Sequence, residues 1–310
     1  MELTWINKLR IAAVATLGIV VIGILAWPLA APADPLLPVR ASDISLSGTL
    51  LLLALALAIG FAGYFIAWPH GREIGILGVP FGLAIWAGRS GPMRALTQVW
   101  NEPAERVTLE HSFRPEPLYW LVIVAAGFAG VLLAQRLRRA PASATSDEPH
   151  LPVSPEPTDG KSSTRSQNTS VYVNVLIGVV VAVLISQFFV GVFAQNIELS
   201  RRIAAQPAMG QIIFAVTGAF AVAAFVVKRY LGLSYLLPAA ASIFVTTFAQ
   251  AVYYRSGTIR QFAETYPAPF FPHSVFAILP VQLVALGAIG SVVGFWMAVR
   301  YDYWRKHEIA

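Results

Sequence analysis

Residues 46–68 read LSGTLLLLALALAIGFAGYFIAW, 23 residues in a row without a charged side chain, bounded by Asp43 before and Arg72 after. The hydrocarbon core of a bilayer is about 30 Å thick, and roughly 20 apolar residues of α-helix cross it with every backbone N–H and C=O bonded internally. A helix on the surface of a soluble domain would carry a polar face along its length, whereas here only Ser47, Thr49 and Tyr64 interrupt the apolar run. The stretch predicts a transmembrane helix, and that decides the fold class.

Working outward, six more stretches pass the same test: 11–29, 118–135, 172–194, 209–227, 231–253 and 276–299. An eighth, 74–88, is short and contains Pro80, so it reads as a thin or kinked span or as a re-entrant hairpin. The whole chain agrees with its parts. Of 310 residues 56% are hydrophobic and 12% charged, with a mean hydropathy of +0.64, too apolar for an ordinary soluble domain. The expectation is an all-α polytopic integral membrane protein of about eight transmembrane helices.

The 22 Lys plus Arg and 16 Asp plus Glu give a formal charge of +6, but in a polytopic protein that sum mixes two sides of a bilayer and implies no nucleic-acid surface. The sidedness of the cations is more informative. With eight spans, thirteen of the 22 fall on the cytoplasmic side together with both termini, and nine fall outside. The clusters Arg136 to Arg139, Lys228–Arg229 and Arg300 to Lys306 abut span ends and all fall inside. A re-entrant 74–88 would set the clusters on its two sides in opposite compartments, so eight spans are preferred. Ala31-Pro32-Ala33 resembles a signal-peptidase site, but the preceding run from Ile11 to Trp27 is longer than a usual signal core and favours an uncleaved anchor. The chain has no cysteine, which excludes disulfides, thiolate chemistry, cysteinyl metal clusters and S-palmitoylation. Arg-rich, cysteine-free composition points to a prokaryotic cell membrane.

Residues 140–170 are rich in Pro, Ser, Thr and acidic residues and nearly free of large apolar ones, which predicts a flexible cytoplasmic linker. It divides the chain into 1–139 and 171–310, four predicted spans each. An even number of spans gives both halves the same orientation, the arrangement of a parallel tandem repeat. Arg72-x-Ile74-Gly75-Ile76 pairs with Arg229-x-Leu231-Gly232-Leu233 at the predicted start of each third span, followed by Pro80 or Pro238. Arg89-Ser90-Gly91-x-x-Arg94 likewise pairs with Arg255-Ser256-Gly257-x-x-Arg260. Equivalent position, more than the short strings themselves, carries this reading.

The same arginines are the first candidate site. Arg89, Arg94, Arg255 and Arg260 lie at the predicted outer interface, where guanidinium groups can pair bidentately with phosphate or carboxylate; simple snorkelling to headgroups is the competing account. The outer loop before residue 118 gathers Glu102, Glu105, Glu110, His111, Arg114 and Glu116, a set that an external active site could use, but its spacing matches no metal motif and it reads as a solvated loop. His273 at the mouth of the last span reads as solvated too. Inside the seven clear spans there is no Asp, Glu, Lys or Arg, which argues against a carboxylate-driven pump. Asn174, Ser186, Gln187, Thr246, Thr247, Gln250 and Gln282 are expected to hydrogen-bond between helices.

Gly71, Gly75, Gly78 and Gly82, and again Gly287, Gly290 and Gly294, recur at three- and four-residue spacing and mark close helix packing, within the chain or at a subunit interface. Trp68, Trp120, Trp296, Tyr301, Tyr303 and Trp304 read as interfacial anchors. No transporter, permease or nucleotide-binding signature is present, and neither catalytic residues, metal nor cofactor is expected. The function expected is a non-catalytic membrane-embedded subunit or scaffold whose partners are the bilayer and another membrane protein or a second copy. The alternatives are a carrier for a neutral or anionic substrate and a membrane enzyme with an outward site at Glu102, Glu110 or His111.

Overall fold

The computed structural model describes residues 4–100, 102–138, 164–195, 206–253, 271 and 273–308, and every regular element among them is helical. The chain begins with α1 (Trp5–Gly18), which widens without a break into a π-helix (Ile19–Leu25). Then come α2 (Leu46–Ile66), the single turn α3 (Gly71–Ile74), α4 (Gly78–Arg89), α5 (Met93–Val99), α6 (Pro103–Phe113) and α7 (Glu116–Leu137). After residue 138 the next described elements are α8 (Thr164–Phe193), whose first turns fall within the predicted 140–170 linker, α9 (Met209–Leu231), α10 (Leu236–Tyr253) and α11 (Pro280–Glu308).

Six of these helices are long and apolar enough to cross a bilayer: Trp5–Leu25, Leu46–Ile66, His111–Leu137, Tyr172–Phe193, Met209–Leu231 and Pro280–Arg305. A seventh arises only if Gly71–Arg89 and Met93–Val99, bent by 47° at their junction, count as one span. The third predicted crossing of the second half is the shorter apolar helix Leu236–Ala249. Large apolar side chains face outward along most of the long helices, among them Leu50, Leu118, Leu176, Phe188 and Phe214. That is the surface of a multi-pass membrane protein.

The local chemistry explains the boundaries. Ser45 starts α2 by accepting the Gly48 N–H on its hydroxyl at 3.1 Å. Pro80 sits third in α4, in the first turn, where its missing N–H leaves no intrahelical bond unmade. The irregularity of this short crossing lies instead at the 3-10 turn Gly75–Leu77. The motif beginning at Arg229 falls differently from its predicted place. It closes α9, and Gly232 terminates that helix with φ of +66° and its N–H on the Lys228 carbonyl at 3.1 Å. The α10 helix therefore starts at Leu236 and not at 231, whereas Arg72 lies in α3, the single turn that precedes α4.

The segments before residue 138 and after residue 164 share some packing and differ in the rest. α2 lies along α7 and α9 along α11, and α1 with its π-helix packs on α4 and α8 on α10, but α8 packs most extensively on α9, whereas α1 makes only a small contact with α2. Glycines permit the closest approaches. A methyl group at Gly60 would run into the Gly127 carbonyl, and one at Gly290 or Gly294 into the carbonyls of Thr217 or Ala221. Gly287 lies under the Phe220 ring, Gly75 against the backbone of Gly63 and Tyr64, and Gly78 and Gly82 against α1 and α2 side chains and backbone. The α11 helix also reaches α4 and α7, so Leu279, Val281, Val284, Ala285 and Ala288 share one buried core with Leu52, Trp86 and Trp120 of the first half.

Two ends result. At one, the α1–α2 connection, α5, α6 and residues 206–208 and 273–279 come together; we term it the lid end. At the other, the basic end, Arg72, Arg138 and Lys228–Arg229 meet Tyr235, Trp68 and Asp302.

Candidate functional site

The region predicted as a solvated loop, between α4 and α7, is two short amphipathic helices laid over the lid end. Met93 and Leu96 of α5 and Leu109 and Phe113 of α6 are buried in the core, while Arg94, Glu102, Glu105, His111 and Arg114 face outward. Glu116, expected to be solvated with them, is only 2% exposed. It is the first residue of α7, where a carboxylate is favoured by the helix dipole, and the burial of Pro117 and Trp120 on the same turn carries it inward.

Its partner comes from the α1–α2 connection. Arg40 places Nε 3.9 Å from Glu116 Oε1 and donates from Nη2 to the Ser112 hydroxyl at 2.9 Å. The guanidinium lies over the rings of Trp100 and Phe113, 5.8 and 5.6 Å from their centroids. One cation thus ties three pieces of chain together. Its attraction for Glu116 is not a closed hydrogen bond, and neither carboxylate oxygen has a hydrogen-bond partner among the described residues. The Ala41 backbone N–H and the Trp120 indole N–H face the carboxylate from just beyond hydrogen-bond geometry. Trp120 itself is fully buried and packs edge-on against Trp86 at 6.3 Å, so it is a core residue and not an interfacial anchor.

Trp86 and Arg89 of α4 grip the π-helix. The Trp86 indole donates to the Ile22 carbonyl at 2.6 Å, and Arg89 Nη1 donates to the Gly23 carbonyl at 3.3 Å. Pro28, five residues beyond Gly23, has no N–H to offer that carbonyl in the π-helical pattern. Arg89 also stacks on Trp27, 4.6 Å from the ring centroid. Its side chain is otherwise exposed, as is that of Arg94, whose backbone N–H donates to Gln206 Oε1 at 2.9 Å. Arg255 and Arg260, the other members of the predicted quartet, lie outside the described residues.

Of the remaining predicted groups, the side chain of Glu110 is not described. His273 is half-buried rather than solvated. It accepts the Val275 N–H on Nδ1, and desolvation by burial lowers its pKa below the usual histidine value. Gln282 holds the halves together, accepting the Leu279 N–H at 3.0 Å and donating to the Ala87 carbonyl at 3.4 Å. Gln187 donates to the Val245 carbonyl across α8 and α10. Asn174 is exposed, and the side chain of Gln250 is not described. Among the described residues no three His, Asp or Glu side chains converge as metal ligands.

The buried Arg40–Glu116 pair could not be anticipated from spacing, because its members are 76 positions apart; the only local signal was a Glu-Pro pair directly against an apolar run. Chemically the arrangement is a clamp that fixes two covering helices to the ends of α2 and α7, with Thr49 and Tyr119 hydrogen-bonded beside it at 3.1 Å. No family model, curated protein or solved structure matches this chain.

Proposed function

We propose that the chain is a non-catalytic membrane-embedded subunit or scaffold, with eight crossings in two parallel four-helix halves and both termini on the cytoplasmic side. The observation that carries this reading is the closed apolar contact between the halves. Where a carrier would place a polar passage, α11 inserts Val281, Val284, Ala285 and Ala288, and the polar group Gln282 beside them is committed to bonds within the protein. The glycines of α11 face α9, which supports packing within the chain over a glycine ridge offered to a partner. Docking then falls to the clamped lid, whose outward face carries Glu102, Glu105, His111 and Arg114.

The paired contacts of α2 with α7 and α9 with α11, and of α1 with α4 and α8 with α10, support an internal repeat; the extensive α8–α9 contact has no counterpart of its size between α1 and α2, and the short motifs begin at different points relative to their helices. The close fit of Gly18 against the Gly78 backbone supports a retained first helix.

Purification from native membranes in mild detergent, followed by native mass spectrometry, tests the function. A stoichiometric partner lost in a variant with Glu102, Glu105 and Arg114 all changed to alanine is the expected result. A lone chain that moves a solute into sealed vesicles would overturn it. Orientation is read separately. The chain has no cysteine, so Glu105→Cys should react with an impermeant maleimide in intact cells and Lys161→Cys should not. An outward-facing enzyme is a second reading, favoured only by the Glu116 carboxyl group, which faces Arg40 but has no hydrogen-bond partner among the described residues, and an activity surviving Glu116→Gln would remove it.

A further inference from the structure

At the basic end, the last turns of α11 border an open groove of about 360 Å³ lined by Met297, Arg300, Tyr301 and Trp304. The spacing of these residues, three, four and seven apart, puts them on one helix face. Met297, Tyr301 and Trp304 are 56%, 46% and 59% exposed, so no other described residue covers the face. Among the described residues Arg300 has neither an ion-pair nor a hydrogen-bond partner, unlike its neighbour Arg229, which is paired with Asp302 at 3.1 Å. The groove wall is held in place from behind. Tyr301 packs edge-on against Phe225 at 5.9 Å, and the Arg229 guanidinium lies 5.5 Å from the Tyr301 ring centroid.

We propose that this groove binds the headgroup of an anionic phospholipid from the bilayer leaflet at the basic end. The order of side chains along the helix matches the order of chemistry in such a lipid. Met297, the deepest, suits the upper acyl chain. Arg300 one turn further supplies several N–H donors for a phosphate, and Tyr301 and Trp304 offer amphipathic rings at the glycerol and headgroup level. From 297 to 304 a helix rises roughly 10 Å, enough to pass from the edge of the hydrocarbon through the headgroup layer. Arg229 is neutralised by Asp302, and the remaining positive field of Lys228 and Arg305 at the same end, added to that of Arg300, favours an anionic over a zwitterionic headgroup.

The test uses the full chain, delipidated in detergent and titrated with phosphatidylglycerol or phosphatidylcholine under native mass spectrometry. Phosphatidylglycerol is expected to bind more tightly than phosphatidylcholine. Arg300→Gln should weaken it about fivefold, the scale of one cation at a membrane surface. Trp304→Ala should weaken both lipids, and Arg300→Lys should recover part of the preference. Folding of each variant is checked by an unchanged thermal transition without lipid. Equal binding of the two lipids, or an Arg300→Gln protein that keeps the full preference, overturns the proposal. Displacement of the lipid by millimolar inorganic phosphate would also overturn it, by identifying a site for a free anion.

Discussion

Two arginine–carboxylate pairs among the described residues sit at opposite ends of the protein and differ in a way that reverses their apparent ranking. Arg229 and Asp302 make the shorter contact, 3.1 Å, but their side chains are 25% and 35% exposed. Arg40 and Glu116 are 3.9 Å apart, with exposures of 14% and 3%. In water a close ion pair gains little, because solvent screens it and two long side chains must be ordered. In a desolvated site a polar group that loses its partner has no water to replace it. Burial, more than distance, decides which pair the fold needs.

That contrast is easiest to break from the buried side. Arg40→Ala should destabilise the protein by about 1.5–3 kcal/mol, the range for a hydrogen bond made by a charged group, since it removes the bond to Ser112 and the contacts with Trp100 and Phe113, and it should release α6 to proteolysis. Thermal unfolding in detergent with limited digestion reads both, and a loss below 1 kcal/mol would show that the clamp is ornamental. Next in size, Trp86→Phe keeps the ring but withdraws the N–H from the Ile22 carbonyl, a change worth about 1–3 kcal/mol for a buried acceptor left unpaired. Asp302→Asn at the basic end should change stability by at most about 1 kcal/mol and lose even that in high salt.

The smallest effect concerns His273 at the lid end. Burial lowers its pKa in the folded protein, so the unfolded chain binds more protons near its ordinary pKa of about 6.5. The stability this group contributes is therefore complete above that pH and is lost as pH falls through it toward the lower folded value. Comparing unfolding of the wild type and His273→Gln between pH 5 and 8 should show a steeper acid loss in the wild type.

Most of the helices were legible because hydrocarbon imposes length and apolarity on whatever crosses it. The predicted 46–68 and 118–135 correspond to Leu46–Ile66 and Glu116–Leu137. Where the reading slipped, a short-range signal lost to a long-range one, or the reverse. Gly232 is a helix stop that a hydropathy window passes over, so the next span was begun too early. Glu116 looked like loop because its environment is made by Arg40, and no window sees 76 residues back. The sequence marks Arg89 only as a cation at the end of a short apolar stretch. Its seat on Trp27 and the Gly23 carbonyl depends on a π-helix that composition does not announce.

That π-helix sets a timetable for biogenesis. Its Ile22 and Gly23 carbonyls are bonded by residues 64 and 66 positions later in the chain. At a synthesis rate of about 5–20 residues per second, the first helix waits roughly 3–13 s after leaving the ribosome before those donors exist. During that interval the insertion machinery, an interfacial water or a helix temporarily wound as ordinary α must satisfy the two oxygens. The first segment of this protein therefore completes its final shape only when α4 arrives beside it.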